Sequence, residues 1–512
     1  MMRRTPWTLV LLAALLVAPL VVVLTAPLHT AAPQWDYVLR NILLSHTWET
    51  AQLLLISVGA ALVFGTGTAW LVATSDFPLR NVFRWALVLP LALPTYISAI
   101  TFAALFGPTG SFTLALGLPL DIVTLPGLGS VFALVLFPYV YLPARAAFGM
   151  GMGQQLEAGR LLGARGLRRF IRIAVPLGRP AILGGAFLVA METLNDYGAV
   201  KYYGVHTLTA GIFRSWGGLY DEGSALRLSG VLLGLVALLL WTEKRARHNA
   251  GHTTTHEPMK RIRLQGWRAW AATWVCSMLL FFAFILPVGA IVSDALRTYS
   301  SHGLLEILPA MGHTLLIGAL AATATLCIAV VLAYAERHVP GGARAAAWAG
   351  IGYVVPGAVI ALGVMSLAGA IANWTGVLLI GGLALLVYAF SVRFLALANQ
   401  PLRAGLKQQP RAFDEAARLL GASPWRTFRS VNLPLLRPSL IAAALLVLME
   451  VVKELPLTLI LRPFDLDTLS TRVFELARIE QWPDAAVPAL LIVLCGLVPV
   501  LLLDRLLDRS PR

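Results

Sequence analysis

Long apolar runs separated by short polar stretches dominate this chain. A helix that crosses a bilayer needs about 20 predominantly apolar residues. Runs of that length fall near 7–28, 52–73, 82–106, 128–149, 181–200 and 225–242. A second set falls near 269–292, 313–335, 347–371, 377–399, 439–460 and 485–503. The pattern predicts an all-α polytopic membrane protein with about twelve transmembrane helices. Prolines inside such runs are no objection, because neighbouring helices re-satisfy the backbone groups they free. The first run follows Arg3 and Arg4 and stays apolar to Leu28. That is longer than the ~7–15 residues of a signal-peptide core, so it is read as a retained span.

Composition agrees. The 512 residues are 58% hydrophobic and 13% charged, against about 25% charged in soluble domains. The excess of 40 Lys and Arg over 25 Asp and Glu would suggest nucleic acid in a soluble protein. Here it reads as a sidedness signal, because cytoplasmic loops of membrane proteins are enriched in cations. With Arg3 and Arg4 in the cytoplasm, twelve spans leave both termini there. The same assignment puts Arg160, Arg165, Arg168, Arg169, Arg172 and Arg179 in one cytoplasmic loop. It puts Arg403, Lys407, Arg411, Arg418, Arg426, Arg429 and Arg437 in another. No nucleic-acid partner is implied; the bilayer is. Cys276, Cys327 and Cys495 lie in apolar segments without metal-ligand spacing, so neither a disulfide framework nor a metal site is expected. His29, His46, His206 and His313 fall at the edges of the runs and read as interfacial.

The two basic loops are copies of each other. EAGRLLGARGLRRFIRIAVPLGRPAI (157–182) recurs as EAARLLGASPWRTFRSVNLPLLRPSL (415–440), at a constant offset of 258 residues. Glu157 matches Glu415, Gly163 matches Gly421, and Pro176 matches Pro434. The register continues to Met191-Glu192 and Met449-Glu450, and a fainter echo relates Pro94 to Pro356. The chain therefore divides into 1–243 and 268–512, with a polar cytoplasmic linker at 244–267. Six spans in each half, an even number, make the repeats parallel. Each loop, 150–180 and 400–438, reads as a short helix, a glycine that allows a sharp turn or close approach, and a proline opening the next span.

These loops carry a resemblance. Glu157-Ala158-Gly159, Gly163, Ile173 and Val175-Pro176 are similar to the EAA loop of ABC importer permeases. So are Glu415-Ala416-Ala417, Gly421, Val431 and Leu433-Pro434. Gly159 for Ala, Val175 for Leu and Val431 for Ile are departures. The chain as a whole resembles the fused, two-half permeases of ferric-iron transport, through METLNDYGAVKYYGV (191–205) and KELPLTLILRPFDLDTLSTRVFELA (453–477). The resemblance implies two six-helix permease repeats whose loops are coupling helices. It further implies two copies of a cytoplasmic ATPase, an external binding protein, a bacterial inner-membrane location and ferric iron as cargo. Thiamine or phosphonate is the alternative cargo.

The sequence encodes no ATPase of its own. None of Lys201, Lys244, Lys260, Lys407 or Lys453 follows a glycine, so a phosphate-binding loop ending in Gly-Lys is absent. No catalytic constellation and no cofactor site stand out, which disfavours a polytopic enzyme. A proton-coupled secondary carrier can share the span count but does not need twin docking loops. Ionisable residues within spans are functional candidates. Glu192 and Asp196 in one half correspond to Glu450 and Glu454 in the other, each pair spaced to share a helix face, with Lys453 as a partner for Glu450 or Glu454. They are expected either to line a translocation path, or to pair helices or sit in water at the periplasmic helix ends.

Overall fold

The computed structural model describes residues 7–117, 121–149, 153–164, 166–248, 261–298 and 306–508. Arg3, Arg4, the loop residues 150–152 and 165, and the linker segment 249–260 lie outside the described residues. So do the side chains of His29 and Arg160.

Two similar series of helices make up the molecule. The first comprises α1 (Trp7–His29), α2 (Leu44–Thr74), α3 (Thr95–Phe106), α4 (Leu125–Leu136) and α5 (Pro138–Gly149). It continues with α6 (Gly153–Leu161), α7 (Val175–Asn195), α8 (Gly198–Tyr202) and α9 (Glu222–His248). The second comprises α10 (Trp267–Leu280), α11 (Leu286–Thr298), α12 (Leu308–His338), α13 (Gly357–Thr375) and α14 (Leu383–Gln408). It ends with α15 (Arg411–Leu419), α16 (Arg437–Lys453), α17 (Pro456–Leu461), α18 (Leu469–Arg478) and α19 (Trp482–Asp508). Both α2 and α12 run for 31 residues. In each, a threonine near the start caps a later segment: Thr50 Oγ1 accepts from Leu208 N, and Thr314 Oγ1 from Leu469 N.

Nine helices among the described residues are long and apolar enough to cross a membrane, or eleven if two bent pairs each count as one span. Helices α4 and α5 bend by 43° at Phe137–Pro138, and Pro424–Leu435 and α16 by 72°. The twelfth expected run falls in α19, whose apolar part Trp482–Val498 is shorter.

Two expected spans are broken in the same way. The runs at 82–106 and 347–371 each divide into a short helix (Arg80–Ala86, Gly342–Ala349), a 3-10 turn (Leu89–Ala92, Gly350–Val354) and a longer helix. Pro94 and Pro356 cause the break. A residue before proline is pushed out of the helical region, and Leu93 and Val355 are extended, with ψ of 121° and 132°. The longer helices start immediately after, at Thr95 and Gly357.

The two cores are interlocked. One joins α2, α4 and α5 to α10, α11 and α19. The other joins α12, α13 and α14 to α1 and α9. Each series thus lends its first and last helices to the other's core. Because non-polar side chains face lipid as well as protein, close fit rather than polarity must select these partners. Gly363 packs so tightly on α1 that an added Cβ would lie 2.4 Å from the Pro19 carbonyl oxygen. Among the described residues, the strands are one short parallel pair, Ser75–Asp76 with Ile262–Arg263. It ties the end of the linker to the turn after α2.

Candidate functional site

Two regions bring the sequence candidates together: the twin loops at one end of the bundle, and a buried polar slot between α7 and α16.

The loop helices α6 and α15 are both nine residues long and end in the same turn. Gly163 and Gly421 take left-handed backbone angles, φ +80° and +77°, with nothing within 4 Å of an added Cβ. Turn direction, rather than close approach, is what these glycines supply. Ala164 N donates to Gly159 O at 2.9 Å and Ala422 N to Ala417 O at 2.9 Å, closing the helix end over the glycine. Pro176 and Pro434 do not open their helices: each lies inside a continuous helix, Gly166–Asn195 and Pro424–Leu435, just after a π-helical turn, Phe170–Ala174 and Phe428–Asn432. Glu157, Ala158, Glu415 and Ala416 are exposed.

The departures at Gly159 and Val431 are explained together. A Cβ on Gly159 would come within 2.4 Å of Ile173 Cδ1. The equivalent pair in the second loop is Ala417 and Val431, one methyl larger on the helix and one smaller opposite. Loop shape is kept by exchanging volume between the two positions.

Sequence reasoning missed the apolar tips of both helices. Leu161 and Leu162 are 89% and 87% exposed, and Leu419 and Leu420 are 89% and 88% exposed. Single exposed leucines are ordinary, but the same pair before the same turning glycine in both loops is not. The signal was present as the repeated Leu-Leu-Gly.

The second region lies where α7 and α16 stop. Asp196 and Glu454 are the residues just past the helix ends, with ψ of 130° and 122°. Neither therefore shares a helix face with Glu192 or Glu450, contrary to the spacing argument. They act as caps for the next helices. Asp196 Oδ1 accepts from Ala199 N at 2.8 Å and Val200 N at 3.4 Å, while Oδ2 accepts from Thr95 Oγ1 at 2.5 Å. Glu454 Oε1 accepts from Leu457 N at 3.2 Å. Both carboxylates are nearly inaccessible.

Each buried charge has a partner. Lys453 Nζ donates to Glu450 Oε1 at 2.8 Å, and Arg393 of α14 lies 3.5 Å from Glu454. Lys453 thus chooses Glu450, and Glu454 takes a cation that sequence reasoning overlooked. Arg393 also donates to Val355 O at 3.0 Å; its position inside an apolar run was the available signal. Tyr139 Oη reaches Glu192 Oε1 at 3.5 Å. Tyr96 is buried with no partner for its hydroxyl.

Glycines let the two series meet here. Gly357 N donates to Asn195 Oδ1 at 2.8 Å, joining the end of α7 to the start of α13. A Cβ on Gly357 would sit 2.3 Å from Glu454 Oε1. One on Gly198 would sit 2.8 Å from both Tyr96 and Leu455. Between these groups lie two adjoining cavities of about 60 and 30 Å3, both lined by Glu192, Asn195, Arg393 and Glu450. They have room for a few waters. Among the described residues, no three His, Cys, Asp or Glu are arranged to hold a metal ion. His46, expected at an interfacial edge, is buried, with its ring edge-on to His206 at 5.3 Å.

Comparison with known proteins gives the geometry a context. Residues 328–512 match the model of the binding-protein-dependent transport system inner membrane component family. The chain is similar to the Fe(3+)-transport system permease protein FbpB 2 of Haemophilus influenzae, with 27% identity over 99% of each chain. It is 26% identical to a probable ABC transporter permease protein, y4fN, of Sinorhizobium fredii, over 85% of this chain and 83% of the relative. The sulfate transport system permease protein CysW of Escherichia coli is 32% identical over 32% of this chain and 58% of its own length. The second half thus carries the inner membrane component domain of binding-protein-dependent transport systems, and along nearly its whole length this multi-pass helical chain is similar to ABC transporter permeases.

Proposed function

We propose that this chain forms the translocation path of an ATP-driven importer, taking ferric iron from an external binding protein. Two copies of a cytoplasmic ATPase drive it, one docked on each loop. The carrying observation is the pair of exposed Leu-Leu-Gly helix ends, Leu161-Leu162-Gly163 and Leu419-Leu420-Gly421. An apolar anchor on a short helix suits the groove of a partner protein, and two equivalent anchors call for two equivalent grooves. In this reading the loops, the linker 244–267 and both termini face the cytoplasm across a bacterial inner membrane. The halves 1–243 and 268–512 rock against each other as rigid bodies between two states.

Cargo would pass through the slot between α7 and α16. Relatives of the chain include permeases for ferric iron and sulfate and a probable molybdenum permease. The slot itself favours a cation: four carboxylates, Glu192, Asp196, Glu450 and Glu454, face two cations, Arg393 and Lys453. Carboxylate oxygens are suited to hard metal ions, and an oxyanion would meet a formal excess of negative charge. Opening must separate Asn195 from Gly357 and loosen the Lys453–Glu450 and Arg393–Glu454 pairs. The freed carboxylates then face the path, and re-pairing closes it behind the cargo. ATP-driven closure of the ATPases would supply the work through the loops.

The test uses proteoliposomes holding the chain with its ATPase and iron-loaded binding protein. ATP-dependent iron uptake is expected, with none from the chain alone. Uptake by the chain alone under a proton gradient would establish a secondary carrier instead. Glu192→Gln combined with Glu450→Gln should lower uptake about tenfold or more; unchanged uptake would remove the slot from the path.

A further inference from the structure

The two loops share a motif and one aromatic contact with the bundle, Trp70 with Phe170 at 5.5 Å and Tyr334 with Phe428 at 5.2 Å, but the second adds a buried polar network. In the second, Asp414 on α15 is 5% exposed. Its Oδ2 lies 2.8 Å from Arg337 Nη2 and accepts from Arg337 Nε at 3.1 Å. Its Oδ1 accepts from Asn432 Nδ2 at 2.9 Å. Arg337, at the end of α12, also donates to the carbonyls of Leu406 and Gln409, where α14 ends. Gln409 and Asn432 exchange a further pair of hydrogen bonds, at 3.1 and 3.3 Å. One buried network therefore joins the loop helix, the turn after it, α12 and α14. Burial pushes the Asp414 carboxyl up, but the Asn432 hydrogen bond and the Arg337 charge outweigh it and hold it below the usual value.

In the first loop the positions matching Asp414, Arg337 and Asn432 are apolar. The offset of 258 residues maps Asp414 to Leu156 and Asn432 to Ala174; the matched ends of α2 and α12 map Arg337 to Ala73. All three are buried. Around them Trp70, Phe148 and Phe170 pack at ring separations of 5.5 to 6.5 Å. Such a seat is held by many weak contacts, each replaceable as the surface shifts. A buried ion pair has no such freedom, because displacement strands a charge.

We infer that Asp414, with Arg337 and Asn432, is a positioning device that makes the second loop move as one body with α12 and α14. The first loop, seated on its aromatic bed, can slide. The two docking events are then unequal: the second transmits the ATPase stroke stiffly and the first compliantly. Asp414 touches no cargo; it acts through the helices it joins. This inference rests on the coupling role assigned to the loops.

The test transplants the first loop's own residues into the second: Asp414→Leu with Arg337→Ala and Asn432→Ala. Exchanging a buried ion pair for apolar groups is often neutral for stability, and the melting temperature of the purified chain checks this. The readout is iron uptake per ATP hydrolysed in the assembled transporter. Should the transplant itself melt early, Asp414→Asn, which keeps the shape and removes the charge, is read in its place. A fall of about tenfold is expected for the transplant, within the range of coupling energies. Leu156→Ala should change it less than about twofold. A transplant that couples like the parent chain would overturn the inference, and so would an equal loss in Leu156→Ala. Glu415→Ala is measured beside them. If it couples normally, the coupling role of the loops falls; if it uncouples while the transplant does not, only the positioning role of Asp414 falls.

Discussion

The loop tips and the buried slot treat their chemistry in opposite ways. At the tips, four leucines stand almost fully exposed where each loop helix ends in a left-handed glycine turn. In the slot, four carboxylates are each engaged by a cation, a hydroxyl or a helix N-terminus within the chain. A surface left unsatisfied by its own chain is built for a partner. A site whose carboxylates are all engaged by its own chain is closed, and opens only when those internal partners are given up. The loops are therefore legible as an interface and the slot as a gate.

Substitutions can break this contrast, and the slot should be the more sensitive to stability. Arg393→Met strands Glu454 in the interior. Removing one partner of a buried ion pair costs about 3–5 kcal/mol, so a lowered melting temperature and poor recovery from the membrane are expected. A wild-type melting temperature would mean that the Arg393–Glu454 pair is not buried as described. Gly357→Ala pushes a methyl toward Glu454 and across the Asn195 hydrogen bond. Overpacking of this kind costs about 1–3 kcal/mol, again read as thermal stability. The loops should respond less. Gly421→Ala forces a left-handed residue at an open position and costs about 1 kcal/mol. Its larger consequence is in coupling: ATP hydrolysis continues while uptake falls. Full uptake from Gly421→Ala would show that the turn direction does not matter for docking.

Periodicity and repetition made much of this readable from sequence. Apolar runs announced membrane helices because a bilayer demands length and hydrophobicity together. The repeated loop exposed its glycine positions because turn chemistry is local. What stayed hidden depended on where helices end. Nothing in the spacing of Glu192 and Asp196 reveals that α7 stops between them, so the shared-face argument failed for Asp196 and, equally, for Glu454. The breaks before α3 and α13 were signalled by Pro94 and Pro356, but an apolar run conceals a break that composition does not interrupt. Partners across the fold were the least accessible. Arg393 meets Glu454, and Arg337 meets Asp414, only after α12, α14 and the loop have packed.

The central claim is that the exposed leucines of the two loops are the ATPase docking surface. Its most direct test is the affinity of the purified chain for its ATPase after Leu161, Leu162, Leu419 and Leu420 are all changed to serine. Burying a leucine side chain contributes about 1.5–3 kcal/mol, so losing four should lower affinity about 100-fold or more, with the chain's own melting temperature unchanged. Undiminished binding by the quadruple variant would contradict the account.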